Sequence, residues 1–249
     1  MSLQGTTGIV TGGSRGLGRA IVEALLARGA KRVYATSRTL TEIDFDDDRV
    51  TPVQLDITDH EAVSAVAERC GDVDVVINNA GALFASSFIT PRSVDAARIE
   101  MDTNYFGTLA MARAFAPVLA TNGGGVMVNI LSAASFYSLP SNASYSASKA
   151  AEWSLTNSLR IELHAQGTNV IGVHASFIDT EMTAAVAVEK ISPADVAGQV
   201  LDAVESGVPE VLADARTRHI KETLPRHLTT LYPELQRQWD AGETPWHVP

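Results

Sequence analysis

Short β-branched runs alternate along the chain with longer segments in which apolar residues recur every three or four positions. That alternation predicts βαβ units building a parallel sheet. The candidate strands are residues 8–11, 32–36, 50–55, 73–77, 125–130, 170–175 and 210–212, and several are apolar at consecutive positions, as strands covered on both faces must be. The candidate helices are 16–28, 59–69, 91–121 with a break, 144–166 and 193–205. Asp59, Ser144 and Ser192 stand as helix caps, and Pro193 suits a first helical position. The expected fold class is α/β, a doubly wound parallel sheet of seven strands with helices on both faces.

Residues 1–249 read as a single domain, with no repeat, linker or composition shift before about residue 215. Beyond it lies a charged tail, 216–249, interrupted by Pro225, Pro233, Pro245 and Pro249. Segments 216–224 and 233–240 are its candidate helices. It reads as a peripheral extension packed on the domain, with a substrate lid or a subunit contact as the alternative.

Composition sharpens this picture. The chain is 45% apolar, with 19 basic and 29 acidic residues for a net charge of -10, which excludes disorder and argues against partners such as nucleic acid or an anionic membrane. The first 40 residues run the other way, with six basic side chains against the lone acid Glu23. Cys70, the lone cysteine, cannot form an internal disulfide. The N-terminus lacks a signal-peptide pattern, and no stretch reaches the roughly 20 apolar residues of a membrane span. A cytoplasmic protein is expected. His60, His164, His174, His219, His227 and His247 show no metal-like pairing, and the run Asp44, Asp46, Asp47 and Asp48 lacks the spacing of a calcium loop. No metal is expected.

The chemistry starts after the first strand, at Thr11-Gly12-Gly13-Ser14-Arg15-Gly16-Leu17-Gly18. Glycines there permit a tight turn, and the free N–H groups of the following helix attract an anion. A turn of this kind in the first crossover is the mark of a dinucleotide site. Gly12, Ser14, Arg15, Gly16, Leu17 and Gly18 are therefore candidate cofactor contacts. At the end of the second strand, Ser37 stands where an acid would grip a ribose, and Arg38 follows, suited to pair with a phosphate. NADP is favoured over NAD, with Arg15 approaching the same ribose.

Tyr145 and Lys149 share one helix face at i, i+4, and an ammonium beside a phenol favours the phenolate. Ser132 lies just past the fifth strand, where a parallel sheet forms its ligand crevice.

With these motifs the chain resembles the short-chain dehydrogenase/reductase superfamily, in its short single-domain branch, over about residues 7–180. The glycine turn resembles the branch's Thr-Gly-x-x-x-Gly-x-Gly, Asp56-Ile57 its acidic site near the adenine, and Asn79-Ala80-Gly81 its strand-four motif. Asn104, Ser132, Tyr145 and Lys149 are similar to its catalytic tetrad in order and spacing. The resemblance implies a Rossmann-like sheet and hydride exchange between NADP(H) and a carbonyl or alcohol. Tyr145 is then the general acid/base, Ser132 the group that orients the substrate oxygen, and Lys149 the partner of the nicotinamide ribose that lowers the pKa of Tyr145. Asn104 would hold a water linking Lys149 to solvent. The family's Pro-Gly pair is here Ala175-Ser176, which places a side chain where glycine lets the backbone approach the nicotinamide. Ile178 and Thr180 are candidates for carboxamide and pyrophosphate contacts.

Phe84, Phe136, Leu139, Phe177 and Met182 lie on segments resembling the family's substrate cleft and predict an apolar ketone or aldehyde substrate, under a small lid over 181–191. The resemblance also implies a homodimer or homotetramer paired through 91–121 and 144–166. A cofactor-sensing regulatory protein that has lost its chemistry is the alternative, disfavoured because all four tetrad residues are present. An epimerase or dehydratase is disfavoured by the short C-terminal part.

Overall fold

The structure, a computed structural model, describes residues 1–243; the stretch with Pro245, His247 and Pro249 lies outside the described residues. Seven strands are found among them: β1 (Thr7–Val10), β2 (Arg32–Ser37), β3 (Val50–Gln54), β4 (Val75–Asn78), β5 (Gly125–Ile130), β6 (Thr168–His174) and β7 (Glu210–Leu212). All pair in parallel, in the order β3-β2-β1-β4-β5-β6-β7. The order reverses between β1 and β4, so their carboxyl ends open a crevice at the switch point. Pro52 sits on β3, an edge strand, where its missing N–H spares the ladder.

The strands are apolar at consecutive positions because each face has its own core. Val75 and Ile77 of β4, with Val126 and Val128 of β5, pack toward α1 (Gly16–Ala27) and toward α6 (Pro193–Ser206). Val76 and Met127 point the other way. There they meet α2 (His60–Arg69), α4 (Thr108–Thr121) and α5 (Ala143–Glu162) through Val63, Phe115 and Leu159. Asp59 and Ser192 cap α2 and α6 as expected, accepting hydrogen bonds from Ala62 N and Asp195 N.

The predicted break in 91–121 is a single turn of π-helix, Asp102–Gly107, between α3 (Asp95–Met101) and α4. Such a bulge turns side chains out of register, and this one carries Asn104. Two expectations need correction. Ser144 is not a cap: α5 begins at Ala143 with Asn142 before it, and the Ser144 hydroxyl is hydrogen-bonded to Ser86 O. In the tail, α7 (Ala215–Thr223) matches the expected segment, but α8 runs His227–Ala241 with Pro233 inside it. Ile220 of α7 and Leu231 of α8 pack with Ala133, Phe136 and Trp153, so the tail braces the segment after β5.

Candidate functional site

The candidate residues follow the carboxyl ends of strands or lie on the helices facing those ends, and all but Asn104 and Phe136 line one cleft of about 850 Å³. At one end are Ser14, Arg15, Leu17, Ser37, Arg38, Asp56 and Ile57, in the middle Asn79, Ala80 and Gly81, and at the other end Ser132, Tyr145 and Lys149.

The glycine turn is close-fitting. Gly12 and Gly16 have φ of +64° and +53°, and a Cβ on Gly18 would stand 2.1 Å from the Gly12 carbonyl oxygen. Asn79 ties β4 to this turn, its Nδ2 donating to Thr11 O at 2.9 Å. The backbone is thereby held open for a phosphate at the N-terminus of α1.

Around the candidate ribose site the charges are more mixed than the sequence suggests. The Ser37 hydroxyl donates to Glu42 at 2.7 Å, and Glu42 also lines the cleft. Arg15 makes a 2.6 Å ion pair with Glu181 across the mouth, with both side chains more than two-thirds exposed. An exposed pair of this kind is worth about 0–1 kcal/mol, so Arg15 is readily redirected.

Ser132 caps the short turn that follows β5, accepting from Ala134 N, while Ala133 N donates to Ala175 O at 2.8 Å. Its own carbonyl is paired with Nδ1 of fully buried His174 at 3.0 Å. Burial brings the His174 pKa down to about 4, so the ring is neutral and Nδ1 donates. The Ser132 and Tyr145 side chains line the same end of the cleft, where the Ser132 hydroxyl favours the Tyr145 phenolate. Lys149 Nζ lies 6.0 Å from the Tyr145 ring centroid and donates to Ile130 O at 2.9 Å.

Lys149 does not bring the phenol down by itself. Burial pushes the Tyr145 pKa up, Lys149 and Ser132 pull it down, and burial prevails, assisted by the negative charge of Glu152. Asn104 is fully buried behind the cleft, its amide donating to Ala82 O and Ser148 Oγ and its Oδ1 accepting from Ala82 N. Its side chain thus fixes the loop after Gly81.

Phe84, Leu139, Phe177 and Met182 line the cleft, as does the lid residue Glu181. The expected lid, 181–191, is tied at its base, where Ile178 and Ile191 form a parallel bridge. Ile178 and Thr180 line the same wall. Phe136 is misplaced by the sequence reading: its ring stacks on His174 at 4.2 Å and meets Trp153 edge-on, and the neighbouring Tyr137 takes the place on the cleft wall. A one-residue change of direction in a turn leaves no periodic signal in sequence.

Other residues behind the cleft also escaped the sequence reading. Glu100 accepts from Phe84 N at 2.7 Å and fixes the substrate-side loop. Asp214 accepts from Ser176 N at 2.8 Å and also caps α7 through Thr217 N. Ser176, in the place of the family's glycine, is thus held by the residue that caps the first helix of the tail. Glu152 forms a buried ion pair with Lys149. Its spacing, i+3 from Lys149, was the available signal.

The short chain dehydrogenase family profile matches residues 6–190. The chain belongs to the short-chain dehydrogenase/reductase family. An uncharacterised oxidoreductase of Staphylococcus aureus is 34% identical over 207 residues, covering 79% of this chain and 89% of that protein. A similar oxidoreductase of Staphylococcus saprophyticus is 32% identical over 220 residues, covering 82% and 93%. Among solved structures, a short-chain dehydrogenase from Burkholderia cenocepacia in complex with NADP is 42% identical, with a TM-score of 0.91 over 94% of this chain and 99% of that one. Another, from Streptomyces avermitilis, is 27% identical with a TM-score of 0.79 over 96% and 98%. The seven-stranded sheet is the family's Rossmann-like fold, and the chain is an oxidoreductase of this family.

Proposed function

We propose that the protein exchanges hydride between NADP(H) and an apolar ketone or aldehyde and its alcohol, with Tyr145 as general acid/base. The observation that carries this reading is the convergence of Ser132, Tyr145 and Lys149 at one end of a cleft whose other end holds the glycine turn and Arg38. The NADP complex of the 42% identical Burkholderia protein supports the choice of cofactor.

When bound, NADP(H) supplies or accepts the hydride. The turn from Gly12 to Gly18 receives the pyrophosphate with its N–H groups, and Thr180 approaches it from the opposite wall, its methyl group in reach of a Cβ built on Gly16. Arg38, with Arg15 released from Glu181, pairs with the ribose phosphate; Ser37 leaves room for it. Asp56 and Ile57 flank the adenine, Asn79, Ala80 and Gly81 the central ribose, and Ile178 the carboxamide. Lys149 holds the nicotinamide ribose. Ser132 holds the substrate oxygen, and Tyr145 gives it a proton in reduction or takes one in oxidation. Phe84, Leu139, Phe177 and Met182 form an apolar seat for the substrate. No charged anchor for a substrate carboxylate stands among them.

We place the protein in the cytoplasm as a homodimer or homotetramer, a single domain with residues 216–249 as its peripheral C-terminal extension. No helix of the described residues is long and apolar enough to cross a membrane. A panel of ketones, aldehydes and alcohols with NADPH and NADP, and in parallel with NADH and NAD, tests the reading. Turnover with a lower KM for NADPH is expected, and Tyr145→Phe should lower kcat by about 10²-fold or more while NADP still binds. A clear NADH preference or full activity of Tyr145→Phe refutes it.

A further inference from the structure

One face of α5 carries three ionisable groups, Tyr145, Lys149 and Glu152, at i, i+4 and i+7. The first two belong to the proposed chemistry, and the third has no part in it. Yet the Glu152 side chain is 1% exposed, and its Oε2 accepts a 2.6 Å hydrogen bond from Lys149 Nζ. Its Oε1 accepts another from the Thr108 hydroxyl at the start of α4, at 3.2 Å. The backbone of Glu152 is fixed as well: Asn78 donates to Asn129, Asn129 to Thr156, and Thr156 to Glu152 O, a buried chain that keys α5 to β4 and β5.

A buried ion pair seldom stabilises a fold more than apolar side chains of the same volume. Packing alone therefore does not account for a carboxylate here. Its effect on its neighbours does.

We propose that Glu152 is a positioning residue: it balances the charge of Lys149 from behind and so holds Tyr145 as the protonated phenol, the form that carbonyl reduction uses. The inference rests on the oxidoreductase reading above. An ammonium has three N–H groups to give. Lys149 gives one to Ile130 O and one to Glu152, and a third remains for the cleft, which Lys149 also lines. Without a counter-ion, an ammonium 6.0 Å from the phenol ring would favour the phenolate. With the carboxylate behind it, part of the pull of Lys149 on Tyr145 is offset. Burial is the largest influence on Tyr145 and favours the phenol; Lys149 and Ser132 favour the phenolate, and Glu152 and Glu100 of α3 add to the effect of burial. Burial raises the pKa of Glu152 itself, and Lys149 and Thr108, the groups that face it, favour its carboxylate against that burial.

Reduction consumes the Tyr145 proton, which passes to the substrate oxygen as hydride reaches the carbon, and water then restores the phenol. A phenol that stays protonated extends this step to higher pH, while oxidation, which needs the phenolate, slows at neutral pH. The substrate class that this tuning serves is the carbonyl.

The test is Glu152→Gln, which keeps the shape and removes the charge. Phenolate absorbance is titrated in the NADP-bound protein, with Tyr145→Phe as the blank so that the other tyrosines cancel. Seven residues along a helix is about 10 Å, and loss of a unit charge at that distance and an effective dielectric near ~20 lowers the Tyr145 midpoint by about one pH unit, about tenfold more phenolate at a given pH. The alkaline limit of NADPH-driven reduction moves down equally. Thr108→Val, which leaves the charge in place, shifts the midpoint less. An unchanged or raised midpoint in a folded, NADP-binding Glu152→Gln protein overturns the proposal. Should that variant fail to fold, Glu152→Met carries the same measurement. The titration needs no turnover, so a lowered midpoint in a protein that reduces no carbonyl supports the action of Glu152 on Tyr145 and refutes the oxidoreductase reading instead.

Discussion

Asp214 lies far along the chain from the cleft and holds two parts of it together. Its carboxylate accepts from Thr217 N at 2.8 Å and Thr217 Oγ1 at 2.9 Å, capping α7, and from Ser176 N at 2.8 Å on the strand-six turn. Asp214→Ala removes the cap, at a cost of about 1 kcal/mol, and orphans the part-buried Ser176 N–H, at about 1–3 kcal/mol. The sum is about 2–4 kcal/mol. For a chain of this size each kcal/mol lowers Tm by about 2–4 °C, so thermal denaturation followed by circular dichroism should show a drop of roughly 4–16 °C. Asp214→Asn keeps an acceptor oxygen and should lose about half as much or less. Burial raises the Asp214 pKa, but the Ser176 and Thr217 hydrogen bonds outweigh it and hold the carboxyl below its ordinary value. The stability it contributes is therefore present above about pH 4 and is lost as pH falls through the lowered folded value. Because Ser176 lines the cleft, the alanine variant should also bind NADP more weakly. A Tm within about 2 °C of the parent protein would show that the tail does not hold the strand-six turn.

Two further outcomes follow from the site's geometry. Gly18→Ala places a methyl group 2.1 Å from the Gly12 carbonyl, a clash with backbone that cannot be relieved by a rotamer, so NADP affinity measured by calorimetry should fall at least tenfold and stability by about 1–3 kcal/mol; unchanged affinity would disconnect the turn from the cofactor. His174, buried and neutral with a pKa lowered to about 4, must be charged in the unfolded chain below its ordinary value near 6.5. The unfolded state thus binds more protons in that window, and stability should fall by about 3 kcal/mol between about pH 6.5 and pH 4, a slope that His174→Gln removes; parallel melting curves for the two proteins would contradict it.

The layered sheet was legible because both of its faces are buried. Val75, Val76 and Ile77 are apolar in succession since alternate residues serve different cores, and a run of that kind resists any other reading. The glycine turn was legible because its spacing is imposed by steric contacts as short as that between Gly18 and Gly12. What stayed hidden depends on direction and depth. Phe136 and Tyr137 are adjacent aromatics, and which one meets the cleft is decided by a short turn whose exit is set by Ser132 and Ser135. Ser144 resembles a cap because serine often is one, but its hydroxyl is used by Ser86, 58 residues away. The pKa of Tyr145 was misjudged for the same reason: spacing revealed Lys149 beside it but not the burial around it.

Most residues that face the cleft belong to the motifs that resemble the family's, and the residues that hold them stand behind. His174 holds the Ser132 carbonyl, Glu152 holds Lys149, and Asp214 holds Ser176. Where the family motif has a glycine after strand six stands Ser176, whose N–H is held by Asp214, the cap of α7. Lys221 of the same tail lies 4.5 Å over the Phe136 ring, and Tyr232 accepts from Ser138 N, so α7 and α8 brace the turn that carries Ser132 as well. Two of the three turns that build the reactive end of the cleft thus depend on residues beyond 210. Variation in this tail should move cofactor and substrate constants together, without any change among Ser132, Tyr145 and Lys149.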